Sequence, residues 1–204
     1  PADGGDPARA DREAAIMTSL SHPSLPRIVD AFPAPDGGRC IVMDYVEGDT
    51  LLARSAACNH ALPWRKVVRY GTQLCDLLDY LHSRDSPIVF RDIKPSNVIV
   101  GEADEVRLID FGIARTYKAG QEQDTVHVGS VGFAAPELLA GKQTDHRADL
   151  YSLGGLLYFL LGGGQMYNFT KTPLSELAPN VPGPLCDAVM RLLAQDPEAR
   201  FPDA

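Results

Sequence analysis

The segment from Val89 to Asn97 places an acid, an ammonium group and a carboxamide close together. Lys94 follows Asp92 by two positions, Asn97 follows three positions later, and Asp110 lies 13 residues beyond Asn97. A carboxylate can accept or orient the proton of a hydroxyl, a lysine can neutralise phosphate, and the oxygens of Asn and Asp suit Mg²⁺. The residue types and their order therefore predict a site for phosphoryl transfer to a hydroxyl group.

Asp92 considered by itself has a simpler interpretation, a polar residue in a loop before a hairpin. The second motif, Asp110-Phe111-Gly112, follows in the order that the chemistry requires, after a segment long enough for two short strands. Two ordered motifs at this separation favour phosphoryl transfer over the simpler interpretation.

The elements that must position these residues can be placed from periodicity and turn signals. The predicted helices are Ala10–Leu20, a segment from Val67 to Leu81 that follows Pro63-Trp64, His146–Leu161 and Cys186–Ala194. The predicted strands are Ile28–Phe32, Arg39–Met43, Asn97–Val100 and Val106–Ile109, and residues 114–132 are predicted to form a loop.

Composition excludes several classes of protein. Of the 204 residues 45% are hydrophobic, enough for a substantial core, and the formal charge of −8 argues against general affinity for nucleic acids. The longest apolar run, Leu150 to Leu161, is too short to span a bilayer. Four cysteines without CxxC spacing indicate free thiols in a reducing compartment. A cytoplasmic location is predicted, and a membrane anchor elsewhere in a larger protein is left open.

The motifs together resemble the eukaryotic-type Ser/Thr protein kinase family, in particular its bacterial branch. Phe90-Arg91-Asp92 resembles the family's His-Arg-Asp, and Asp110-Phe111-Gly112 is similar to its magnesium-binding triplet. The segment Gly129–Glu137 resembles the end of the activation loop, Asp149–Gly154 the start of a central helix, and Arg200 the late arginine of the family.

The resemblance implies ATP and Mg²⁺ as cofactors and protein serines or threonines as acceptors. It implies that Asp92 is the base, that Lys94 neutralises phosphate, and that Asn97 and Asp110 hold the metal. The residues that it implies around the nucleotide are Glu13, the gatekeeper Met43, the hinge residues Asp44 to Val46, and Ile99 beneath the adenine.

Supporting roles are implied in the same way. Ser130 is expected to contact Asp92 and Lys94, and Asp149 is expected to anchor the catalytic loop through its backbone. Glu137 is expected to pair with Arg200. Arg91 is expected to receive a phosphate from the activation loop, with Thr125 as the first candidate for modification, Thr116 as the next and Tyr117 as a weaker one.

The implied fold is α+β, with the two lobes of a protein kinase and an incomplete small lobe. Residues 1–43 are expected to be the remnant of the small lobe, 44–48 the hinge, and 49–204 a mostly helical large lobe that ends before its final helix.

Two departures from the family pattern stand out. Phe90 replaces histidine; it can still stack on Phe111 but cannot donate the imidazole hydrogen bond. No Gly-x-Gly-x-x-Gly motif precedes Glu13, and no lysine precedes Lys66, so Glu13 has no evident partner. We therefore expect a piece that begins just after the family's third strand and, by itself, binds ATP weakly and transfers phosphate poorly.

Three functions are weighed on these residues. The first is a Ser/Thr protein kinase, favoured by the intact Asp92, Asn97 and Asp110. The second is a kinase-like interaction scaffold without catalysis, favoured by the missing lysine and glycine loop. The third is a small-molecule phosphotransferase, which the Ala135-Pro136-Glu137 segment and Arg200 oppose, since they belong to an architecture for peptide substrates.

Overall fold

The computed structural model describes residues 18–33, 39–58, 61–110, 115–116, 130, 132–142 and 144–204. Its strands are β1 (Ile28–Pro33), β2 (Arg39–Met43), β3 (Asp49–Thr50), β4 (Ile88–Val89), β5 (Val98–Val100), β6 (Val106–Leu108) and β7 (Arg115–Thr116). Its helices are α1 (Leu51–Ala57), α2 (Trp64–His82), α3 (Pro136–Leu139), α4 (Arg147–Leu161), α5 (Tyr167–Thr170), α6 (Leu174–Leu177) and α7 (Gly183–Leu192), followed by a 3₁₀ turn at Pro197–Ala199.

Strands β1 and β2 form an antiparallel pair before the linker that leads into the helical part. Met43, the last residue of β2, pairs with Ile28, and the Asp44 N–H donates to the Arg27 carbonyl at 2.9 Å. The pairing thus continues one residue into the linker, which fixes the direction in which residues 44–47 leave the sheet.

The linker meets the second sheet, of strand order β3-β5-β6, at Gly48. Gly48 has φ +132°, and a Cβ there would lie 2.3 Å from the carbonyl oxygen of Val100. This approach requires glycine, because an added side chain would clash with backbone and the positive φ disfavours other residues. The linker is therefore held against β5, the strand that follows Asn97.

The turn between β5 and β6 is tied to the neighbouring helices. The Tyr70 hydroxyl donates to Asp104 at 2.8 Å, and Arg54 donates to the carbonyls of Val100 and Gly101 at 2.7 and 2.9 Å. The hydrogen bond from Tyr70 is the main cause that lowers the pKa of Asp104 below its usual value. These contacts hold the β5–β6 ribbon in place beneath the linker.

Helix α4 forms the centre of the helical part. Every one of its residues after Arg147 is buried, as expected for a helix that is apolar on all sides. A Cβ on Gly154 would lie 2.7 Å from Cβ of Leu192, so the glycine allows the end of α7 to approach closely. The amphipathic α2 packs its buried face, which includes Leu74, Leu77, Leu78 and Leu81, into the same core.

The predicted α+β fold class is confirmed, with few strands before the linker and mainly helices after it. The predicted strands and the three long helices after the linker are present, with bounds shifted by up to three residues. The predicted helix Ala10–Leu20 lies outside the described residues except for its end. One expectation is corrected: the loop over residues 114–132 contains strand β7, whose Arg115 and Thr116 pair with Val89 and Ile88. Among the described residues, none of the helices has the length and apolar composition needed to cross a membrane.

Candidate active site

Asp92, Lys94 and Ser130 form one hydrogen-bonded group. The Ser130 hydroxyl donates to Asp92 Oδ1 at 2.7 Å, and Lys94 Nζ donates to Asp92 Oδ2 at 2.6 Å and to Ser130 Oγ at 2.7 Å. The side chain of Asp92 is 11% exposed and that of Lys94 24% exposed. The carboxylate of Asp92 has little access to water, accepts a hydrogen bond from one hydroxyl group and lies beside a cation. It is therefore suited to orient a second hydroxyl group.

Asn97 closes the loop that carries this group. Its Nδ2 donates to the backbone oxygen and to Oδ2 of Asp92, both at 3.0 Å, and its backbone N–H donates to the Lys94 carbonyl at 3.0 Å. Because both partners of Nδ2 are acceptors, the orientation of the carboxamide follows from chemistry, with Oδ1 as the oxygen that is left for a ligand. The Ser96 hydroxyl lies 3.3 Å from that oxygen.

Asp110 is brought beside Asn97 by the β5–β6 ribbon. The Ile109 N–H donates to the Asn97 carbonyl at 2.8 Å, and the next residue, Asp110, is exposed and has φ +71°. In the described part of the chain, no group of three or more His, Cys, Asp or Glu side chains is placed to hold a metal ion. One carboxylate and one carboxamide nevertheless fit Mg²⁺, which usually binds few protein ligands and completes its shell with water and phosphate oxygens.

The backbone of the loop is anchored by Asp149, near the start of α4. The carboxylate of Asp149 is fully buried and accepts from the Phe90 N–H at 2.8 Å and the Arg91 N–H at 2.7 Å. Arg91 itself is buried and has φ +70°, a conformation uncommon for residues other than glycine. The two hydrogen bonds to a buried anion therefore support a backbone conformation that would otherwise be unfavourable.

Sequence reasoning missed the third partner of Asp149. Nε2 of His82, the last residue of α2, lies 2.9 Å from Asp149 Oδ2. The two residues are 67 positions apart and share no local motif, so the only signal was the position of His82 a few residues before the catalytic loop. This contact links the end of α2 to the anchor of the loop.

Glu137 and Arg200 form a buried ion pair behind the site. Arg200 Nη1 and Nη2 donate to the two carboxylate oxygens of Glu137 at 2.6 and 2.8 Å, and Arg200 also donates to the carbonyls of Arg147 and Ala194. Next to this pair, burial by itself raises the pKa of Asp145, but hydrogen bonds from Arg147 outweigh it and hold that pKa below its usual value. The segment that follows Ser130 is thus fixed to the C-terminal part of the chain.

The residues predicted to surround a nucleotide are only partly brought together. Ile99 lies on β5 and is partly buried, as are Met43 and Val46, while Asp44 is exposed. A cavity of about 400 Å³ is lined by residues of the segments 22–27 and 44–47 and by Gly101, Glu105 and Arg107. Asp44 and Val46 line it among the described residues, but Met43, Ile99 and Asp92 do not, so this cavity is distinct from the space beside the catalytic loop.

Several predicted residues lie outside the described part of the chain. They are Glu13, Phe111, Gly112, Tyr117 and Thr125, and of Thr116 only the backbone is described. Phe90 is fully buried, and its predicted stacking on Phe111 stays a prediction.

Comparison with known proteins shows the family of this chain. Residues 2–200 match the family model described as the protein kinase domain. The chain is 32% identical to a probable serine/threonine-protein kinase of Clostridium perfringens over 96% of its length, and 32% identical to the serine/threonine-protein kinase pkn2 of Myxococcus xanthus over 98%. It is 33% identical, over 96% of its length, to the serine/threonine-protein kinase PknF of Mycobacterium tuberculosis.

These matches cover 30%, 26% and 42% of the three relatives, so the chain spans less than half the length of each. The matched region contains the whole loop from Phe90 to Asn97, Asp110 and the pair of Glu137 with Arg200. The chain belongs to the protein kinase domain family, and its relatives are bacterial Ser/Thr protein kinases.

Proposed function

We propose that the protein is a Ser/Thr protein kinase that transfers the γ-phosphate of ATP to serine or threonine hydroxyls of protein substrates. The observation that carries the proposal is the group of Asp92, Lys94 and Ser130. Oδ1 of Asp92 already accepts a hydroxyl hydrogen at 2.7 Å, which is the contact that a substrate hydroxyl needs before it attacks.

Each member of the group has a distinct task. Asp92 accepts or orients the proton of the attacking hydroxyl. Nζ of Lys94 lies 2.6 Å from that carboxylate, and its positive charge stabilises the negative charge of the transferring phosphate. Ser130 positions both side chains and forms part of the wall against which the substrate hydroxyl lies.

Mg²⁺ and ATP, when bound, supply the transferable phosphoryl group and neutralise its charge. We assign the metal to Oδ1 of Asn97 and the carboxylate of Asp110, because the loop leaves Oδ1 directed away from Asp92. The nucleotide is assigned to the linker, with Met43, Asp44 and Val46 at the adenine edge and Ile99 beneath it. Glu13 belongs to the same proposal as a residue that positions the phosphates.

Regulation by phosphorylation is part of the proposal. Arg91 follows the buried Phe90, and its guanidinium is suited to bind a phosphate carried by the activation loop, with Thr125 as the acceptor. Phosphosite mapping after incubation with Mg-ATP tests this assignment. An autophosphorylated protein that carries no phosphate on Thr125 would show that the acceptor is wrong.

The remaining assignments follow the family. We propose residues 1–43 as part of the small lobe, 44–48 as the hinge and 49–204 as part of the large lobe. Protein substrates are the partners, nucleic acid is not one, and the cytoplasm is the proposed location.

A scaffold without catalysis is the second candidate, because the first 65 residues of the sequence contain no lysine to pair with Glu13. Incubation of the purified protein with γ-labelled ATP, Mg²⁺ and an acceptor protein separates the two. The proposal predicts label on phosphoserine or phosphothreonine that disappears when Mg²⁺ is chelated. Saturable nucleotide binding without any transfer would favour the scaffold.

A further inference from the structure

The cavity of about 400 Å³ behind the linker is formed by three separate parts of the chain. Segment 22–27 contributes one wall, linker residues 44–47 contribute a second, and the β5–β6 ribbon contributes the third through Gly101, Glu105 and Arg107. The volume lies in the range of small-ligand sites. The proposed kinase reaction uses none of the ribbon residues that line it.

The charges in this cavity do not cancel. Asp44 and Arg27 neutralise one another in an ion pair at 3.3 Å. Within the described part of the chain, Glu47, Glu105 and Arg107 take part in no side-chain hydrogen bond or ion pair. Two carboxylates and one guanidinium therefore remain to interact with whatever occupies the space.

His22 adds no positive charge at neutral pH. Its Nδ1 accepts a hydrogen bond from the Ser24 N–H at 3.1 Å, and burial lowers the pKa of His22 below its usual value, with Arg107 acting in the same direction and Asp76 in the opposite one.

The side-chain carboxylate of Glu105 is positioned to bind a ligand in the cavity. Among the described residues, its buried Oε2 has no hydrogen-bond partner, which is an unfavourable state for a carboxylate oxygen. A Cβ added to Gly101 would lie 2.1 Å from Oε1 of Glu105, so glycine at position 101 provides the space in which the carboxylate lies. Arg107, the middle residue of β6, lines the same cavity as Glu105.

An aromatic side chain lies at the rim. Tyr45 lines the cavity and is 91% exposed, which is unusual for a tyrosine with a purely structural role. An aromatic face next to unpaired carboxylates is a favourable environment for an ammonium or guanidinium group.

We propose that this cavity binds a basic amino-acid group, an arginine or lysine side chain that pairs with Glu105 and Glu47 while Arg107 binds its accompanying carbonyl or carboxylate. The same chemistry occurs in a free basic amino acid and in a basic residue of a peptide. The cavity shares Asp44 and Val46 with the linker assigned to the adenine edge but includes neither Met43 nor Ile99, and under the proposal binding does not depend on kinase activity.

Titration calorimetry of the purified protein with L-arginine tests the proposal, and L-citrulline serves as the neutral isostere. We expect saturable binding of arginine and up to about fivefold weaker binding of citrulline, since a partly exposed charge pair contributes up to that factor. Absence of saturable arginine binding, or equal binding of citrulline, would overturn the proposal.

Three variants locate the binding. Glu105→Gln keeps the shape of the side chain and is expected to weaken arginine binding by up to about fivefold, and Gly101→Ala is expected to do the same by displacing the carboxylate without removing its charge. Glu102→Gln, an exposed position in the same turn that does not line the cavity, is the matched control and should bind like the unmodified protein. Unchanged binding in both Glu105→Gln and Gly101→Ala would show that the site is elsewhere.

Two further titrations identify the source of the ligand and its relation to the nucleotide. N-acetyl-arginine amide that binds at least as tightly as arginine would indicate a peptide, whereas binding of free arginine only would indicate an amino acid, and either supports the basic-group site. Binding in the presence of a saturating non-hydrolysable ATP analogue should be unchanged. Displacement of arginine by that analogue would mean that the cavity belongs to the nucleotide site and would overturn the proposal.

Discussion

Arg200 and Glu137 meet in a two-point ion pair across 63 residues of sequence, and the side chain of Arg200 is fully buried there. Arg200→Ala leaves the carboxylate of Glu137, which is 13% exposed, without its counter-charge. We expect the free energy of unfolding to fall by about 3–5 kcal/mol, measured by urea denaturation.

The double variant Glu137→Leu with Arg200→Met is the control for this prediction. Replacement of both charges removes the isolated carboxylate, so the double variant should be more stable than Arg200→Ala. If the double variant is the less stable protein, the loss comes from packing and not from the unpaired charge.

Asp149 connects the central helix to the backbone of the catalytic loop. Both carboxylate oxygens of Asp149 accept hydrogen bonds from N–H groups. In Asp149→Asn one of these oxygens is replaced by an NH₂ group, which then faces a donor instead of accepting from it. We expect a loss of about 3 kcal/mol of stability and a marked fall in kcat. Asp187→Asn, at an exposed position of α7, is the matched control. A transfer rate that stays unchanged in Asp149→Asn would refute the anchoring role.

Ser130 should act through its hydroxyl group. Ser130→Ala removes one hydrogen bond to Asp92 and one from Lys94, and we expect kcat to fall about tenfold or more, since each bond to a charged group contributes about 1.5 kcal/mol. Ser130→Thr keeps the hydroxyl and should retain most of the rate. Steady-state kinetics that show equal losses in both variants would mean that the size of the side chain matters and the hydroxyl does not.

Asp110 should determine the requirement for magnesium. Asp110→Asn keeps an oxygen ligand but removes its charge, so we expect the Mg²⁺ concentration for half-maximal activity to rise at least about tenfold. Glu102→Gln, which removes an exposed carboxylate from the β5–β6 turn, is the control for the change in net charge. The same Mg²⁺ dependence in Asp110→Asn and in the unmodified protein would exclude Asp110 as a ligand.

Long elements could be predicted from sequence because their periodicity is strong. The apolar positions of α2 recur at helical spacing over Trp64–His82, and the predicted helix His146–Leu161 contains the longest apolar run of the chain, interrupted by Ser152 and the glycine pair. The four-residue helices α3, α5 and α6 were not predicted, because so few residues carry no periodic signal. Helices of this length depend on tertiary packing, since nucleation is costly in isolation.

In the candidate active site, too, some residues could be predicted from sequence motifs and others could not. Asp92, Lys94 and Ser130 were named from motifs, and the structure brings their polar atoms within 2.7 Å of one another, while their catalytic roles stay predictions. His82 was not named, because its partner Asp149 is close only in the folded chain. The placement of Glu105 and Arg107 in the wall of one cavity could not be predicted either, because two charged residues two positions apart are ordinary in sequence.

The most direct test of the proposed function is the rate of phosphate transfer from Mg-ATP to an acceptor protein by Asp92→Asn, compared with Asp187→Asn. A base or orienting group typically contributes 10²- to 10⁴-fold, so kcat should fall by about that factor in Asp92→Asn and stay at the unmodified value in Asp187→Asn. Transfer by Asp92→Asn at the rate of the unmodified protein would contradict the assignment of this loop as the catalytic centre.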